Sequence, residues 1–396
     1  MGFDVETVRQ QFPALSEGAA HFDGPGGSQT PQVVADAVAA TMVAALANRG
    51  QLTAAERRAD EIVVGARQAM ADLLGTDPGG IVFGRSMTQL TYDFARTLAK
   101  DWAPGDEVIV TRLDHDANIR PWVQAAEAAG AAVRWLEFDP TTSELDDITP
   151  LLSDRTRLVA VTGASNLIGT RPDLQALASI VHDAGALVFV DGVHLTPHAP
   201  VDAGFADFYA CSPYKFFGPH CGVLSAAPAL LDRLHPDKLL PATDAVPERF
   251  EFGTLPYELL AGTTAAVDFI ASLGGEASGS RRERLLTSLA ALESYEDDLR
   301  ADLENRLAAI DGITLHGHAQ RRTPTLLFSV AGWEPRAVAA KLAESGVNAP
   351  GGSFYALEAS RHLGLGDAGG VRAGLAPYTN QSDVDRLVEG IKTLTV

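Results

Sequence analysis

The stretch LVFVDGVHLTPHAPVDAGFADFYACSPYKFFGPHCGVLS, residues 187–225, holds two apolar runs, each ending in side chains able to do chemistry. Ala186 to Val190 leads into Asp191, and Asp207 to Cys211 leads into Ser212 and then Lys215. Short continuous apolar runs of this kind read as strands of a parallel sheet buried on both faces. In open α/β sheets, ligands sit at the carboxyl ends of the strands. A carboxylate and an amine presented together at that edge suit pyridoxal phosphate: the lysine forms a Schiff base with the aldehyde, and the aspartate keeps the pyridine nitrogen protonated. The competing reading is an ordinary strand-end aspartate and an exposed lysine.

Working outward, seven such runs lie between Ile81 and Ala227: IVFG, DEVIVTRL, AAVRWLEF, RLVAVTGAS, ALVFVDGVH, DFYACS and GVLSAA. Ala-rich helical stretches separate most of them. That alternation predicts an α/β fold, a large domain with a mostly parallel seven-stranded sheet between helices. Two amphipathic segments precede it, Pro31 to Ala47 and Ala54 to Leu74, read as flanking helices. A smaller α+β domain is expected at the C-terminal end. It begins with a helix from Ser280 to Ile310, on which Glu283, Arg284, Glu296 and Arg300 are expected to face outward. Strands near Ile313 to Leu315 and Thr325 to Val330 follow, then helices Glu334 to Ser345 and Gln381 to Leu394. The resulting division is 1–20, an N-terminal segment packing with the small domain; 21–273, the large domain; and 274–396, the small domain, with a cleft between the two domains.

Composition narrows the function. With 396 residues, 46% of them apolar and 21% charged, the chain can form two sizeable cores. A formal net charge of -20 leaves no basic stripe for a phosphate backbone, so neither nucleic acid nor an anionic membrane surface is an expected partner. Two cysteines, Cys211 and Cys221, are too few for a disulfide framework or a four-thiolate metal site, and no metal is expected. The first residues, MGFDVETVRQQF, lack the basic and then apolar pattern of a secretory signal, which makes the cytoplasm the expected compartment.

Further motifs supply what a phosphorylated aldehyde needs. GRSMTQLTYDFA sets Gly84, Ser86, Met87 and Thr88 at a strand-to-helix turn, where free amides and the helix dipole favour a phosphate. An ordinary Ser or Thr helix cap accounts for the same residues. DGPGGSQTP, residues 23–31, lacks the spacing of a dinucleotide fingerprint.

Taken with LDHDANIRPW, ASNLIGT, VDGVH, CSPYKFFGP, RFEFGT and VRAGLAPYTN, these motifs resemble, in order and over nearly the whole chain, the class V aminotransferase group of fold-type-I pyridoxal phosphate enzymes. Within it they are most similar to the cysteine desulfurase and selenocysteine lyase branch. The resemblance implies a role for each matching residue. His115 stacks on the cofactor ring and relays protons; Asn166 lies near the cofactor hydroxyl and the substrate carboxylate. Asp191 pairs with the ring nitrogen and His194 with the ring hydroxyl. Ser212 binds phosphate, and Lys215 is the covalent anchor and base. Arg372 grips the substrate carboxylate, a task suited to its bidentate fork. Thr254 matches a residue given across a dimer interface to the partner's phosphate, which implies a homodimer with shared active sites.

The departures from the family pattern bear on the reaction. Desulfurases carry their persulfide-forming cysteine on a loop ahead of the carboxylate-binding arginine; here that loop reads NAPGGSFYALEASRHLG and has none. Cys211 and Cys221 read as packing residues. Tyr214 replaces the usual histidine before the lysine, and Met87 stands where a threonine is usual. Ser353, Phe354 and Tyr355 are expected to line the substrate pocket. The expected function is a lyase cleaving a carbon–sulfur or related β bond of a cysteine-type α-amino acid. A class V aminotransferase or an epimerase is the alternative, and a non-catalytic cofactor-binding regulator is the reading from a different class.

Overall fold

In the computed structural model, which describes residues 3–275 and 278–395, the apolar runs become neighbouring strands. After a short N-terminal strand, β1 (Ala20–His21), the central sheet consists of β2 (Ile81–Gly84), β3 (Glu107–Thr111), β4 (Ala132–Leu136), β5 (Thr156–Thr162), β6 (Leu187–Asp191), β7 (Phe208–Cys211) and β8 (Gly222–Ala226). The order across the sheet is β2-β8-β7-β6-β5-β3-β4. β3, β4, β5, β6 and β7 run parallel, while β8 runs antiparallel to both β7 and β2.

Side chains alternate across a strand, so each run feeds two cores. Val188 and Val190 join Val159, Val161 and Tyr209 beneath the helices Ala54–Leu74, Leu174–Asp183 and Tyr257–Ser272. Phe189 joins Leu158, Ala160 and Phe208 beneath Met87–Leu98 and Arg120–Ala129. Helix boundaries follow local chemistry. Ala54–Leu74 opens with a Thr53/Glu56 capping box and closes at Gly75, whose φ of 71° is the left-handed cap that glycine adopts at least cost. The helix expected to reach Ala47 stops at Met42, and none of residues 42–47 is buried, so packing does not hold a further turn.

The C-terminal part forms an antiparallel sheet from β9 (Ile313–His316), β10 (Thr325–Val330), β12 (Gly351–Gly352) and β13 (Gly370–Gly374); β11 (Val347–Asn348) pairs instead with β1. The long helix Arg281–Ala308 serves both cores. Leu285, Leu289 and Leu292 belong to the first, and Leu299, Leu303 and Leu307 pack with the small sheet. Between them Glu296 is only 1% exposed, which corrects the expectation that it faces outward. It lies four residues after Leu292 and three before Leu299, on the apolar stripe itself. Near the N-terminus, Phe3 stacks on Tyr295 and Arg9 pairs with Asp383 at 2.6 Å. Among the described residues no helix is long and apolar enough to cross a membrane.

Candidate active site

Because β6 and β7 are parallel neighbours, Asp191 at the end of one and the Pro213–Lys215 turn after the other emerge at the same sheet edge. Both line a cavity of 640 Å³, together with Met87, Thr88, His115, Asn166, His194, Ser212, Tyr214, Phe354 and Arg372. The surface-lysine reading is thereby excluded. The Lys215 ammonium donates to the Pro25 carbonyl and lies 4.9 Å from the centre of the Tyr214 ring, which itself stacks on His220 at 4.7 Å.

The electrostatics follow from burial. Desolvation pushes the Lys215 amine down to about 7; the Arg372 cation works in the same direction and Asp191 opposes it. Asp191 is raised by burial to about 6, against the Val193 amide that bonds its Oδ1 at 3.0 Å and the charge of Lys215. His115 falls to about 4 through burial, then Lys215 and Arg372, so its imidazole is neutral at pH 7. Its Nδ1 accepts from the Ala117 amide at 3.0 Å, which leaves the proton on Nε2. Next to it, Asp114 is wholly buried, accepting from Asn118 at 2.7 Å, from the Thr162 amide at 3.0 Å and from the Thr111 hydroxyl. Burial, more than nearby Asp191, holds its carboxyl well above the usual range.

A prediction arises from these shifts. In the cofactor-free chain, reductive alkylation of Lys215, followed by peptide mapping across pH, should show a midpoint near 7. A midpoint near the ordinary lysine value of 10.5 would show that the site does not activate this amine.

At one end of the cavity the helix Met87–Leu98 presents its N-terminus. The Ser86 hydroxyl caps the helix, accepting from the Gln89 amide at 3.1 Å, and Ser86 does not line the cavity. The Met87 and Thr88 amides have no acceptor among the described residues, as expected of first-turn donors awaiting an anion. Gly222 of β8 is what lets the sheet approach this terminus: a Cβ there would meet the Ser86 carbonyl carbon at 2.2 Å.

At the other end stands Arg372 on β13, 2% exposed. Its Nη1 donates to the Asn166 carbonyl at 2.8 Å, and its guanidinium centre lies 3.8 Å from the Phe354 ring centroid. Burial pushes it down to about 9 against the pull of Asp23, so it remains a cation at neutral pH. Arg372 Nε and Asn166 Oδ1 are both buried without a partner among the described residues. Such orphans are costly unless a ligand satisfies them. Phe354 and Tyr355 both adopt left-handed backbone, with φ of 54° and 58°, at a cost on the order of 1 kcal/mol each. Three anchors hold them there. The Asn166 amide donates to the Phe354 carbonyl at 2.9 Å, the Asp116 amide donates to the Tyr355 carbonyl at 2.7 Å, and Glu358 bridges Arg112 and Arg120 at 2.8 and 3.1 Å.

Two other expected residues lie off the cavity. Ser353 lines a separate outer groove behind Phe354 and Tyr355, and Thr254 is exposed on the surface. Tyr355 lines the cavity as expected, and so do Pro25, Gly26, Tyr92 and Arg120, to which the sequence reading assigns no role. Pro25 and Gly26 belong to the Gly-rich turn noted in the sequence; Tyr92 lies one helical turn beyond Thr88. Cys211 and Cys221 are buried and do not line the cavity; burial pushes both thiols up, Cys221 to about 11.

The residues present fit pyridoxal phosphate: an amine and a carboxylate at one sheet edge, unfilled helix amides at one end, and orphaned Arg and Asn atoms at the other. Comparison with known proteins agrees. Residues 20–387 match the family Aminotransferase class-V. An uncharacterized protein of Mycobacterium tuberculosis (strain CDC 1551 / Oshkosh) is 35% identical over the full length of both chains. The aminotransferase-like protein FGM3 of Gibberella zeae is 32% identical, with 98% of each chain covered. Among solved structures, the cysteine desulfurase CsdA from Escherichia coli superposes with a TM-score of 0.87 at 29% identity, covering all of both chains. With the sheet, the lysine and the matching length in agreement, the chain belongs to the class V aminotransferase family and is a pyridoxal-phosphate-dependent enzyme of cysteine desulfurase-like fold.

Proposed function

We propose that this enzyme is a lyase that breaks the carbon–sulfur or related β bond of a cysteine-type α-amino acid without forming a persulfide on the protein. The observation that carries this reading is the loop over the cavity. It holds aromatic side chains in place of a thiol, and the chain's two cysteines are buried elsewhere. Bound in the cavity, pyridoxal phosphate supplies an electron sink for charge developing at the substrate α-carbon.

The remaining work falls to the chain. Met87 and Thr88, with Ser212 across the cavity, hold the phosphate, and Ser86 keeps their helix turn in place. Asp191 would stabilise a protonated ring nitrogen, His194 would meet the ring hydroxyl, and His115, a neutral imidazole, could pass a proton through Nε2. Arg372 and Asn166 take the substrate carboxylate, and Phe354 packs on the guanidinium face so that the carboxylate must approach in its plane. Lys215, held by Pro25 and the face of Tyr214, takes the α-proton as a neutral amine, a form that its depressed pKa makes abundant at pH 7. A sulfur leaving group then departs as a thiol, and cysteine and water become pyruvate, ammonia and hydrogen sulfide. Thr254, exposed on one subunit, reaches a partner's phosphate in a homodimer.

Purified holoenzyme incubated with cysteine and S-conjugated cysteines should release sulfide or thiol together with pyruvate over many turnovers, with no second substrate. One keto acid per site, with further product only on adding a second keto acid, would overturn this in favour of a transaminase, the reading that the name of the FGM3 relative favours.

A further inference from the structure

The buried pair Glu296 and His198 has no part in the chemistry above, yet it abuts the cavity wall. Glu296 is 1% exposed, and its Oε2 lies 2.8 Å from His198 Nδ1. A carboxylate withdrawn from water persists only with such a partner. The His198 ring meets His194 edge to face, with centroids 5.4 Å apart and planes at 71°. His194, itself buried, lines the cavity. Its Nε2 contacts two hydroxyls from the other side, Thr325 at 2.9 Å and Thr323 at 3.1 Å. Its Nδ1 has no hydrogen-bond partner among the described residues.

A continuous line of contacts therefore runs from the midpoint of the helix Arg281–Ala308 to the cavity. Glu296 sits where that helix passes from one core to the other, and Thr323 and Thr325 lie at the start of β10. His194 is thus braced by a large-domain histidine on one side and small-domain hydroxyls on the other. The charged groups facing it are Lys215 and Arg372 across the cavity. Glu293 and Asp297 are the acidic neighbours of Glu296.

We propose that Glu296 and His198 are positioning residues for His194: the carboxylate holds the His198 ring, and that ring presses His194 onto Thr323 and Thr325, leaving one ring nitrogen for the cofactor. The proposal rests on His194 being a cofactor contact. The test is a double-mutant cycle read as the affinity of the cofactor-free enzyme for pyridoxal phosphate, followed by absorbance. Glu296→Leu should weaken binding about three- to tenfold, the range of one lost positioning hydrogen bond. Glu296→Gln, whose amide oxygen still accepts from Nδ1–H, should restore affinity to near that of the parent. In a His194→Ala background, Glu296→Leu should cost nothing further.

An equal loss in both backgrounds, or no loss in the parent, overturns the proposal. His198→Leu replaces Glu296→Leu in the cycle if the latter does not fold. A parent chain that binds no pyridoxal phosphate would instead overturn the assignment of the cavity, and this inference with it.

Discussion

Lys215→Ala should lower turnover by about ten-thousand-fold while leaving the fold intact. Among the described residues the nitrogen removed is the one amine in the cavity, burial brings it down to about 7, and a positioned base contributes up to about that factor. Folding should survive because the side chain's polar contact is a single bond to the Pro25 carbonyl, and the side chain lines the cavity rather than filling an apolar core. Lys215→Arg should not rescue: a guanidinium stays protonated and cannot accept the α-proton. Product formation by mass spectrometry, alongside a thermal melt, checks both statements. Residual activity above about one per cent of the parent in a folded variant would mean that another group is the base.

Arg372→Gln should reduce kcat/KM for α-amino acids about hundredfold, equivalent to the roughly 3 kcal/mol of a buried charge-assisted contact. An analogue with the carboxylate replaced by hydrogen should be processed equally by the variant and the parent. Two physical features make this contrast large. The guanidinium is buried, so water screens it little, and its Nε has no partner among the described residues, so the contact is spare until substrate arrives. The same change should move Lys215 in a definite direction: removing a nearby cation favours the ammonium, so the alkylation midpoint should rise above about 7. Equal losses on the acid and on its decarboxylated analogue would show that Arg372 supports the fold rather than the substrate.

Much of this architecture was legible from local pattern. Continuous apolar runs such as Leu187–Asp191 can be satisfied only between two helical layers, and β10 was read with its observed limits, Thr325–Val330. Asp191 and Lys215 stood out because they follow apolar strands, and strand ends are where such a sheet collects its ligands, whereas His115 and Arg372 were legible only through the family resemblance of their motifs. The acidic helix Arg281–Ala308 misled at Glu296, since a charged residue within a charged helix looks solvated until its partner is known. That partner, His198, is far away in sequence, and a buried ion pair leaves no periodic signal. Ser86 was ambiguous for a related reason: the same hydroxyl suits a helix cap or a phosphate, and the structure shows it accepting from the Gln89 amide as a cap.

The succession of apolar runs, glycines and chemical side chains was enough to specify a parallel sheet with Asp191 and Lys215 at its carboxyl edge, because strand periodicity and burial are local demands on composition. Which face Phe354 presents to Arg372, the left-handed turn at Phe354 and Tyr355, and the brace from Glu296 to His194 arise from contacts between segments that are not neighbours in the chain or from backbone angles that no residue type dictates. Such features depend on three-dimensional packing, where the cost of burying a charge or holding a strained turn is offset by partners that the linear chain does not place side by side.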